Sequence, residues 1–351
     1  MDQLGPTLMH EHVLVDLDCY WSAPADPGDL ALSAVKVSEV SRATVLGSPY
    51  GRTTMLVRDN ILLDDPELAV AELRHLRDSG GGTLVELTLD GFGTGPERRR
   101  DAAMLADIAA RSGLNIVMGT GYYVQPSHPP EVAAESAEEL AARMIRDIRT
   151  GVGNTGVRAG IIGEIGVSQP IHPDEEKVVD AAAIAALETG ATVSIHTYPG
   201  ALIGMTPTQQ LLAAGVSPER IIVGHTDVVL DRGYLRSLLE AGVTIEFDSF
   251  GIDGWTVQQF GTFTASDAER VATLVELAAD GFASQIVLSQ DFATKLFCRR
   301  YGGVGYNHVL ASVVPRLQEL GMSSDEVDQM LVRNPAQLLA VADPDVSPGR
   351  G

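Results

Sequence analysis

Short apolar runs alternate with longer amphipathic segments along almost the whole of this 351-residue chain. The runs are rich in Val, Ile and Leu, which is typical of parallel strands that are covered on both faces. Eight such runs occur, at residues 7–15, 83–89, 115–121, 159–166, 192–197, 220–226, 243–249 and 285–291. Because parallel strands need crossover connections, this alternation predicts an α/β fold, specifically a (β/α)8 TIM barrel.

The segments between the runs have the pattern of helices, most clearly at residues 65–81, 174–191 and 233–242. Several end in Gly just before the next run, a common helix stop signal, and Asp174 and Asp231 are candidate N-cap residues. A doubly wound open sheet is the main alternative fold. Such a sheet usually has a Gly-rich phosphate-binding loop after its first strand, whereas this sequence continues as DLDCYW. The barrel is therefore the better interpretation.

Two regions exceed a minimal barrel. Residues 19–64 form a long loop after the first strand, and such loops commonly build the substrate pocket of a barrel. Residues 323–342 have the pattern of one or two extra C-terminal helices. Because no linker, internal repeat or low-complexity tract divides the chain, we predict a single domain over residues 1–351.

Aromatic residues near the mouth either line an apolar pocket or pack within their loops: Tyr20, Trp21, Tyr122, Phe250 and Trp255.

The composition limits the partners of the chain. Its formal net charge is −22, without an acidic tail, and nucleic acids are bound by clustered Lys and Arg, so we expect no nucleic-acid partner. No apolar run predicts a membrane span, and two cysteines are too few for a disulfide framework. We therefore expect a cytoplasmic protein that acts on a small-molecule substrate. A homodimer is left open.

Two histidines stand two residues apart in the first apolar run, within the sequence MHEH. Alternate residues of a strand point to the same face, so His10 and His12 project from one side of the predicted strand. A single buried histidine is most often a satisfied core residue. Two of them in one apolar strand need two buried partners, which makes a purely structural explanation more costly.

Four further polar residues mark the ends of later strands. Glu164 interrupts the fourth run, His196 and His225 end the fifth and sixth, and Asp291 closes the eighth. The carboxyl ends of barrel strands meet at one mouth, so these side chains should converge there with the two histidines of the first strand. Imidazole and carboxylate groups suit one or two divalent cations, and a carboxylate such as Glu164 can bridge two of them. A barrel whose interior polar groups merely satisfy one another does not predict this spacing.

The chain also resembles a family, the phosphotriesterase-related branch of the amidohydrolase superfamily. The resemblance covers nearly the whole chain and rests on segments that together are highly specific, including GPTLMHEHVLVD, RDNILLDD, GTGYYV, AGIIGEIG, GHTD, SQD and YGGVGYNHVL. It implies two divalent metal ions per chain, with zinc favoured and manganese or cobalt as alternatives. It divides the ligands into a buried set and an exposed set, namely His10, His12 and Asp291, and His196 and His225. It also implies that a hydroxide bridges the two ions and that Tyr123 leans over them, close to the substrate.

The chain departs from parts of this family in two places. Organophosphate-hydrolysing members have a carboxylated lysine where this chain has Glu164, so the chain resembles the branch with a plain glutamate bridge. Other members have an arginine or a histidine where Ser249 follows Asp248, so the resemblance gives Ser249 no role.

A basic cluster follows the eighth strand and consists of Lys295, Arg299 and Arg300. A solvated loop is the favoured interpretation. The alternative is a grip for a small anionic substrate, because Lys and Arg bind phosphate and carboxylate groups.

These observations predict a binuclear metal-dependent hydrolase in which a metal-bound hydroxide attacks a carboxylic ester, lactone or amide. Asp291, as the general base, and Tyr123 are the expected catalytic residues. A phosphotriester or phosphodiester hydrolase is one alternative. A barrel DNase is another, but it should show a basic cleft. A binding protein without turnover is a third, although no ligand position is lost.

Overall fold

The structure is a computed structural model that describes residues 4–39, 55–90, 101–252, 256–257 and 262–341. Part of the predicted long loop, residues 40–54, lies outside the described residues, as does Trp255. The single domain over residues 1–351 stays a prediction.

Eight parallel strands form one sheet, in which each strand pairs with the next one along the chain. Each strand overlaps one of the eight apolar runs. The strands are β1 (Thr7–Glu11), β2 (Thr83–Glu86), β3 (Asn115–Thr120), β4 (Ile161–Val167), β5 (Val193–Thr197), β6 (Ile221–Val223), β7 (Thr244–Phe247) and β8 (Ile286–Leu288).

The first and last strands meet just beyond the end of β8. The backbone N–H of Asp291 donates to the C=O of His10 (3.1 Å), and the N–H of His12 donates to the C=O of Phe292 (3.2 Å). These bonds join the two edges of the sheet into a nearly closed barrel, which confirms the predicted (β/α)8 TIM fold. They also place the residues after β8 beside the histidines of β1.

Helices alternate with the strands, as predicted. The barrel helices are α1 (Pro66–Asp78), α2 (Ala102–Ser112), α3 (Ala137–Arg149), α4 (Pro173–Thr189), α5 (Met205–Ala213), α6 (Arg232–Glu240), α7 (Asp267–Ala279) and α8 (Val314–Glu319, after a π-helical turn at Val309–Val313). The predicted C-terminal extension is confirmed as α9 (Ser324–Asp328), a π-helical turn (Gln329–Arg333) and α10 (Asn334–Leu339). Within the described ranges, no helix has the length and apolar character needed to cross a membrane.

Local sequence signals set the helix starts, with one correction. Asp231 is the N-cap of α6, where its side chain accepts a hydrogen bond from the N–H of Tyr234 (2.7 Å), as predicted. The predicted cap of α4 is wrong. His172 is the N-cap there, and its Nδ1 accepts from the N–H of Asp174 (3.1 Å), because Pro173 already occupies the first helical position.

Short elements follow the carboxyl ends of β1, β3 and β7 and surround the mouth of the barrel. They include two antiparallel strand pairs, Val15–Asp16 with Leu62–Leu63 and Thr256–Val257 with Thr262–Phe263, two short helices, Pro27–Ser33 and Pro130–Ala134, and a 3-10 turn, Asp18–Tyr20. The 3-10 turn carries Tyr20 to the mouth.

Apolar side chains fill the barrel beneath the mouth. One buried cluster contains Met9, Val85, Ile161, Ile222 and Val287, which come from five different strands. Side chains of five strands can meet only inside the barrel, so this cluster closes the interior and leaves the polar residues at the carboxyl end. A larger apolar core lies between the strands and the helices.

Candidate metal centre

The six polar side chains predicted from the sequence lie together at the carboxyl-terminal mouth. They lie on or directly after five strands: His10 on β1 and His12 just after it, Glu164 on β4, His196 on β5, His225 in the turn after β6 and Asp291 in the turn after β8. Five of them are buried, whereas the side chain of Asp291 is 26% exposed. The structure therefore brings all six together, with Asp291 on the open side.

Glu164 lies at the centre of this group. Its Oε2 lies 3.2 Å from Nε2 of His10 and 2.9 Å from Nδ1 of His196. The same oxygen lies 3.8 Å from Nε2 of His225, and Oε1 lies 3.4 Å from Nε2 of His12. Burial alone would raise the pKa of Glu164, but His10 and His196 lower it well below its ordinary value. One ionised carboxylate is thus shared by four imidazoles.

The remaining contacts form two neighbouring sets of donors, which we call the inner set (His10, His12 and Asp291) and the outer set (His196 and His225). In the inner set, Oδ1 of Asp291 lies 3.2 Å from Nε2 of His12 and 4.0 Å from Nε2 of His10. In the outer set, Nε2 of His225 lies 2.7 Å from Nδ1 of His196. Ligand atoms of a tetrahedral zinc ion are about 3.3 Å apart when its bonds are about 2.0–2.1 Å long. The observed separations of 2.7–4.0 Å lie on either side of this value.

Two buried atoms also fit a cation at this place. Within the described residues, Nε2 of His10 and Oε1 of Glu164 make no hydrogen bond, although both are shielded from solvent. Buried polar atoms are otherwise almost always paired. The ligand atoms of His10, His12 and Asp291 lie within 4.8 Å of one another, as do those of His10, Glu164 and His225. The mixed imidazole and carboxylate set therefore suits divalent ions such as zinc.

Three residues that the sequence interpretation missed contact the Nδ1 atoms of three of the histidines, whose Nε2 atoms face the site. The pairs are His10 Nδ1 with Glu246 Oε2 (3.2 Å), His225 Nδ1 with Asp248 Oδ1 (3.1 Å) and His12 Nδ1 with Thr88 Oγ1 (2.9 Å). A carboxylate accepts hydrogen bonds and does not donate them. Asp248 therefore keeps the proton of His225 on Nδ1 and leaves the lone pair of Nε2 facing the site. A signal was present, because Glu246 and Asp248 have the same two-residue spacing as the histidines of β1.

The surrounding charges shift the pKa values of the histidines in different directions. Burial alone would lower the pKa of His225, but Asp248 raises it well above its ordinary value. For His10, burial likewise acts downward, while Glu164 and Glu246 raise its pKa well above the ordinary value. Burial and the neighbouring His225 lower the pKa of His196. His196 is thus the most readily neutral of these three, and the neutral imidazole is the form that binds a cation.

Two residues of the site have left-handed backbone conformations. The φ angle is +55° at His225 and +49° at Asp291, and no other non-glycine residue in the described ranges has a positive φ. Such conformations are uncommon outside Gly and persist where the surrounding structure imposes them. At His225 the backbone N–H donates to Oδ2 of Asp248 (2.8 Å), so the same carboxylate holds both the ring and the backbone.

Tyr123 borders the outer set. Its hydroxyl lies 3.2 Å from Nδ1 and 3.1 Å from Nε2 of His196. The hydroxyl of Tyr20 donates a hydrogen bond to that of Tyr123 (2.6 Å). Tyr20 belongs to the turn after β1, so a loop of the mouth contacts the outer set through two tyrosines.

A cavity of about 80 Å³ opens onto the site. His12 and Asp291 of the inner set, the outer set and Glu164 supply its polar wall, and Leu17, Met55, Pro199 and Ala293 supply apolar surface. Of the aromatic residues expected near the mouth, Tyr20 lines this cavity. The cavity therefore combines the ligand-type side chains with an apolar wall suited to a small organic group.

The basic cluster after β8 lies apart from the cavity. Nζ of Lys295 is 3.0 Å from Oδ1 of Asp59, and Lys295 is buried, so the solvated-loop interpretation is wrong for this residue. It is correct for Arg299 and Arg300, which are exposed and whose backbone N–H groups donate to Glu72. Within the described residues, none of the three lines the cavity.

Ser249 supports other residues and does not line the cavity. Its hydroxyl donates to Oδ1 of Asp248 (3.2 Å), and its N–H donates to Oδ2 of Asp227 (3.0 Å). Asp227 is paired in turn with the buried Arg270 (2.9 Å). Ser249 thus helps to position Asp248 behind His225.

Comparison with known proteins gives close matches over nearly the whole chain. The sequence model of the Phosphotriesterase family matches residues 1–339. N-acetyltaurine hydrolase from Salmo salar is 33% identical over 342 residues, which cover 96% of this chain and 94% of that relative. A solved resiniferatoxin-binding protein from Rhodobacter sphaeroides has 31% identity and a TM-score of 0.88, over 96% of this chain and 91% of its own. The phosphotriesterase homology protein from Escherichia coli, solved with phosphate in its active site, has 29% identity and a TM-score of 0.78, over 97% and 100%.

Proposed function

Since the chain belongs to the phosphotriesterase family, in which a relative with 33% identity is named a hydrolase, we propose that it cleaves a carboxylic ester, lactone or amide with the help of two divalent cations. The observation that carries this proposal is the convergence of four histidines on the buried carboxylate of Glu164. The proposed ligands are His10, His12, Glu164, His196, His225 and Asp291. Zinc is the proposed metal because its usual ligands are imidazole and carboxylate groups.

The proposed substrate class rests on the cavity and on the relatives. The name of the Salmo salar relative describes hydrolysis of an N-acetyl compound, which supports an acyl substrate. The apolar wall of Leu17, Met55 and Ala293 suits the uncharged part of such a molecule. The buried ion pair of Lys295 with Asp59 gives no support to an anion-binding role for that lysine.

Bound divalent cations would polarise the scissile carbonyl and make water a nucleophile near neutral pH. Asp291 accepts the proton of the attacking water, because it is the partly exposed carboxylate at the cavity and its pKa stays low. Burial alone would raise that pKa, but the hydrogen bond with His12 and the nearby histidines lower it. Asp291 can then pass the proton to the leaving group. Tyr123 orients His196 and presents its hydroxyl to the substrate side of the outer set.

The test combines metal analysis with a substrate screen. Purified protein should contain about two divalent ions per chain, and chelation should abolish turnover. The metal-loaded protein should hydrolyse members of a panel of lactones, aryl esters and N-acyl amino compounds, with phosphotriesters and single-stranded DNA as comparison substrates. Activity that survives exhaustive chelation would overturn the proposal, and turnover confined to phosphotriesters or DNA would replace the proposed substrate class.

A further inference from the structure

Glu11 stands between the two histidines of β1, and its side chain is fully buried. Its carboxylate crosses the seam between the first and last strands of the barrel. Oε1 accepts hydrogen bonds from the hydroxyl of Ser289 (2.7 Å) and the N–H of Gln290 (3.0 Å), and Oε2 accepts one from the N–H of Phe292 (3.0 Å). The two backbone groups that it binds lie on either side of Asp291.

These bonds bear directly on the backbone of Asp291. Its own N–H donates to the C=O of His10 (3.1 Å), so three consecutive N–H groups, those of residues 290–292, are held by two consecutive residues of β1. A non-glycine residue in the left-handed region is strained and persists only where its surroundings determine it. At Asp291 this conformation, with φ of +49°, accompanies a carboxylate that lies 3.2 Å from Nε2 of His12.

We infer that Glu11 is a positioning residue of the inner set, which fixes Asp291 relative to His10 and His12 by binding the N–H groups on both sides of it. The three donors all lie in residues 289–292, directly after the last strand, whereas Glu11 belongs to the first strand, so its side chain joins the two segments together with the hydroxyl of Ser289. The inference rests on the proposed metal site and concerns how that site is built. Groups that orient metal ligands commonly change metal affinity or activity 10–100-fold when they are altered.

The role depends on two oxygen acceptors. Burial raises the pKa of Glu11 to about 8, even though the hydrogen bonds from Ser289 and Phe292 favour the ionised form. Both protonation states keep two oxygens facing the two N–H groups. A glutamine at this position keeps the shape but replaces one oxygen with an NH2 group, which donates and cannot accept.

The test is the Glu11→Gln variant, with zinc affinity measured by competition with a chelator. We expect one divalent ion to bind about 10–100-fold more weakly, with kcat lowered and KM nearly unchanged. The visible absorption spectrum of the cobalt-loaded variant should also differ from that of the wild type, because it reports the ligand geometry independently of turnover.

Glu72→Gln is the matched control. Glu72 is another buried glutamate, and its carboxylate accepts from the N–H groups of Arg299 (2.8 Å) and Arg300 (3.0 Å) in the loop after β8. This variant should lower Tm without changing zinc affinity or the cobalt spectrum. Equal effects of the two variants on metal affinity, or wild-type affinity in Glu11→Gln, would overturn the inference.

Two further measurements separate the remaining outcomes. If Glu11→Gln does not fold, hydrogen exchange of the metal-free wild type decides. The amides of Gln290 and Phe292 should exchange as slowly as those of the barrel strands, and exchange at the rate of exposed loops would overturn the inference. A folded wild type that binds no divalent ion would instead overturn the proposed function.

Discussion

The inner and outer donor sets occupy the same mouth but are supported by different parts of the molecule. In the inner set, Nδ1 of His10 contacts Glu246 of β7, and the backbone of Asp291 is tied to β1. In the outer set, His196 contacts the hydroxyl of Tyr123, which is hydrogen-bonded to Tyr20 in a turn outside the barrel. Both sets thus contain a histidine that a buried carboxylate holds, because Asp248 contacts His225, and the outer set depends in addition on a loop through its tyrosine contacts.

This difference bears on the order in which the two sets bind and release cations. Contacts with buried charged partners hold a fixed geometry, whereas contacts with loops change more readily. We therefore expect the inner set to determine proton transfer and tight metal binding. The outer set should release its cation first and should be the half that responds to changes in the substrate.

Removal of the shared carboxylate should lower metal content and turnover more than any other change, because Glu164 contacts both sets. Glu164→Gln keeps the shape but loses the charge that would offset the two proposed dications, so we expect loss of at least one ion and turnover close to background. Metal analysis and kcat measure this outcome, and circular dichroism controls for folding. A variant that keeps two ions and normal turnover would contradict the shared bridge.

If Glu164 is the bridge, the rate at which metal-free protein regains activity should not depend on bicarbonate. A glutamate bridge already has both oxygens, so metal-free protein given zinc should regain activity equally fast with or without bicarbonate. Faster recovery with bicarbonate would show that a carboxylated lysine is the bridge, and Glu164 would lose that role.

Asp291→Asn alters the inner set alone and should have the next largest effect. The amide oxygen can still bind a cation but cannot take up the proton, so kcat should fall roughly 10²–10⁴-fold while most of the metal remains bound. The comparison needs kcat and metal content on the same preparation. Near-normal kcat would move the general base to another residue, and loss of both ions would make Asp291 mainly a ligand.

The sequence predicted the strands and the six converging side chains because both depend on local patterns. Apolar runs identify strands, and the carboxyl ends of parallel strands meet whatever the loops do. The partners Glu246 and Asp248 were not recognised, because which histidine they face depends on how β7 packs beside β6 and β8. The positive φ of Asp291 and the contacts of Glu11 were not predicted either, since they arise where the first strand of the barrel meets the segment after the last strand.

The smallest change in metal affinity is expected for a variant of the loop that contacts the outer set. This variant tests whether the outer set depends on that loop. Tyr20→Phe removes the hydroxyl that donates to Tyr123 but keeps the ring. One neutral hydrogen bond contributes about 1 kcal/mol, so the weaker-binding ion should be held about 5-fold less tightly, and the tighter ion should be unaffected. KM should rise by a similar factor with little change in kcat, because we propose that proton transfer takes place at the inner set. Tyr122→Phe is the matched control, since Tyr122 is a buried tyrosine that directly precedes Tyr123 in the sequence but does not line the cavity. Calorimetric titration of the metal-free protein with zinc resolves the two binding steps in both variants. Equal weakening of both steps in Tyr20→Phe, or the same change in Tyr122→Phe, would show that the two sets do not differ in the way that their contacts indicate.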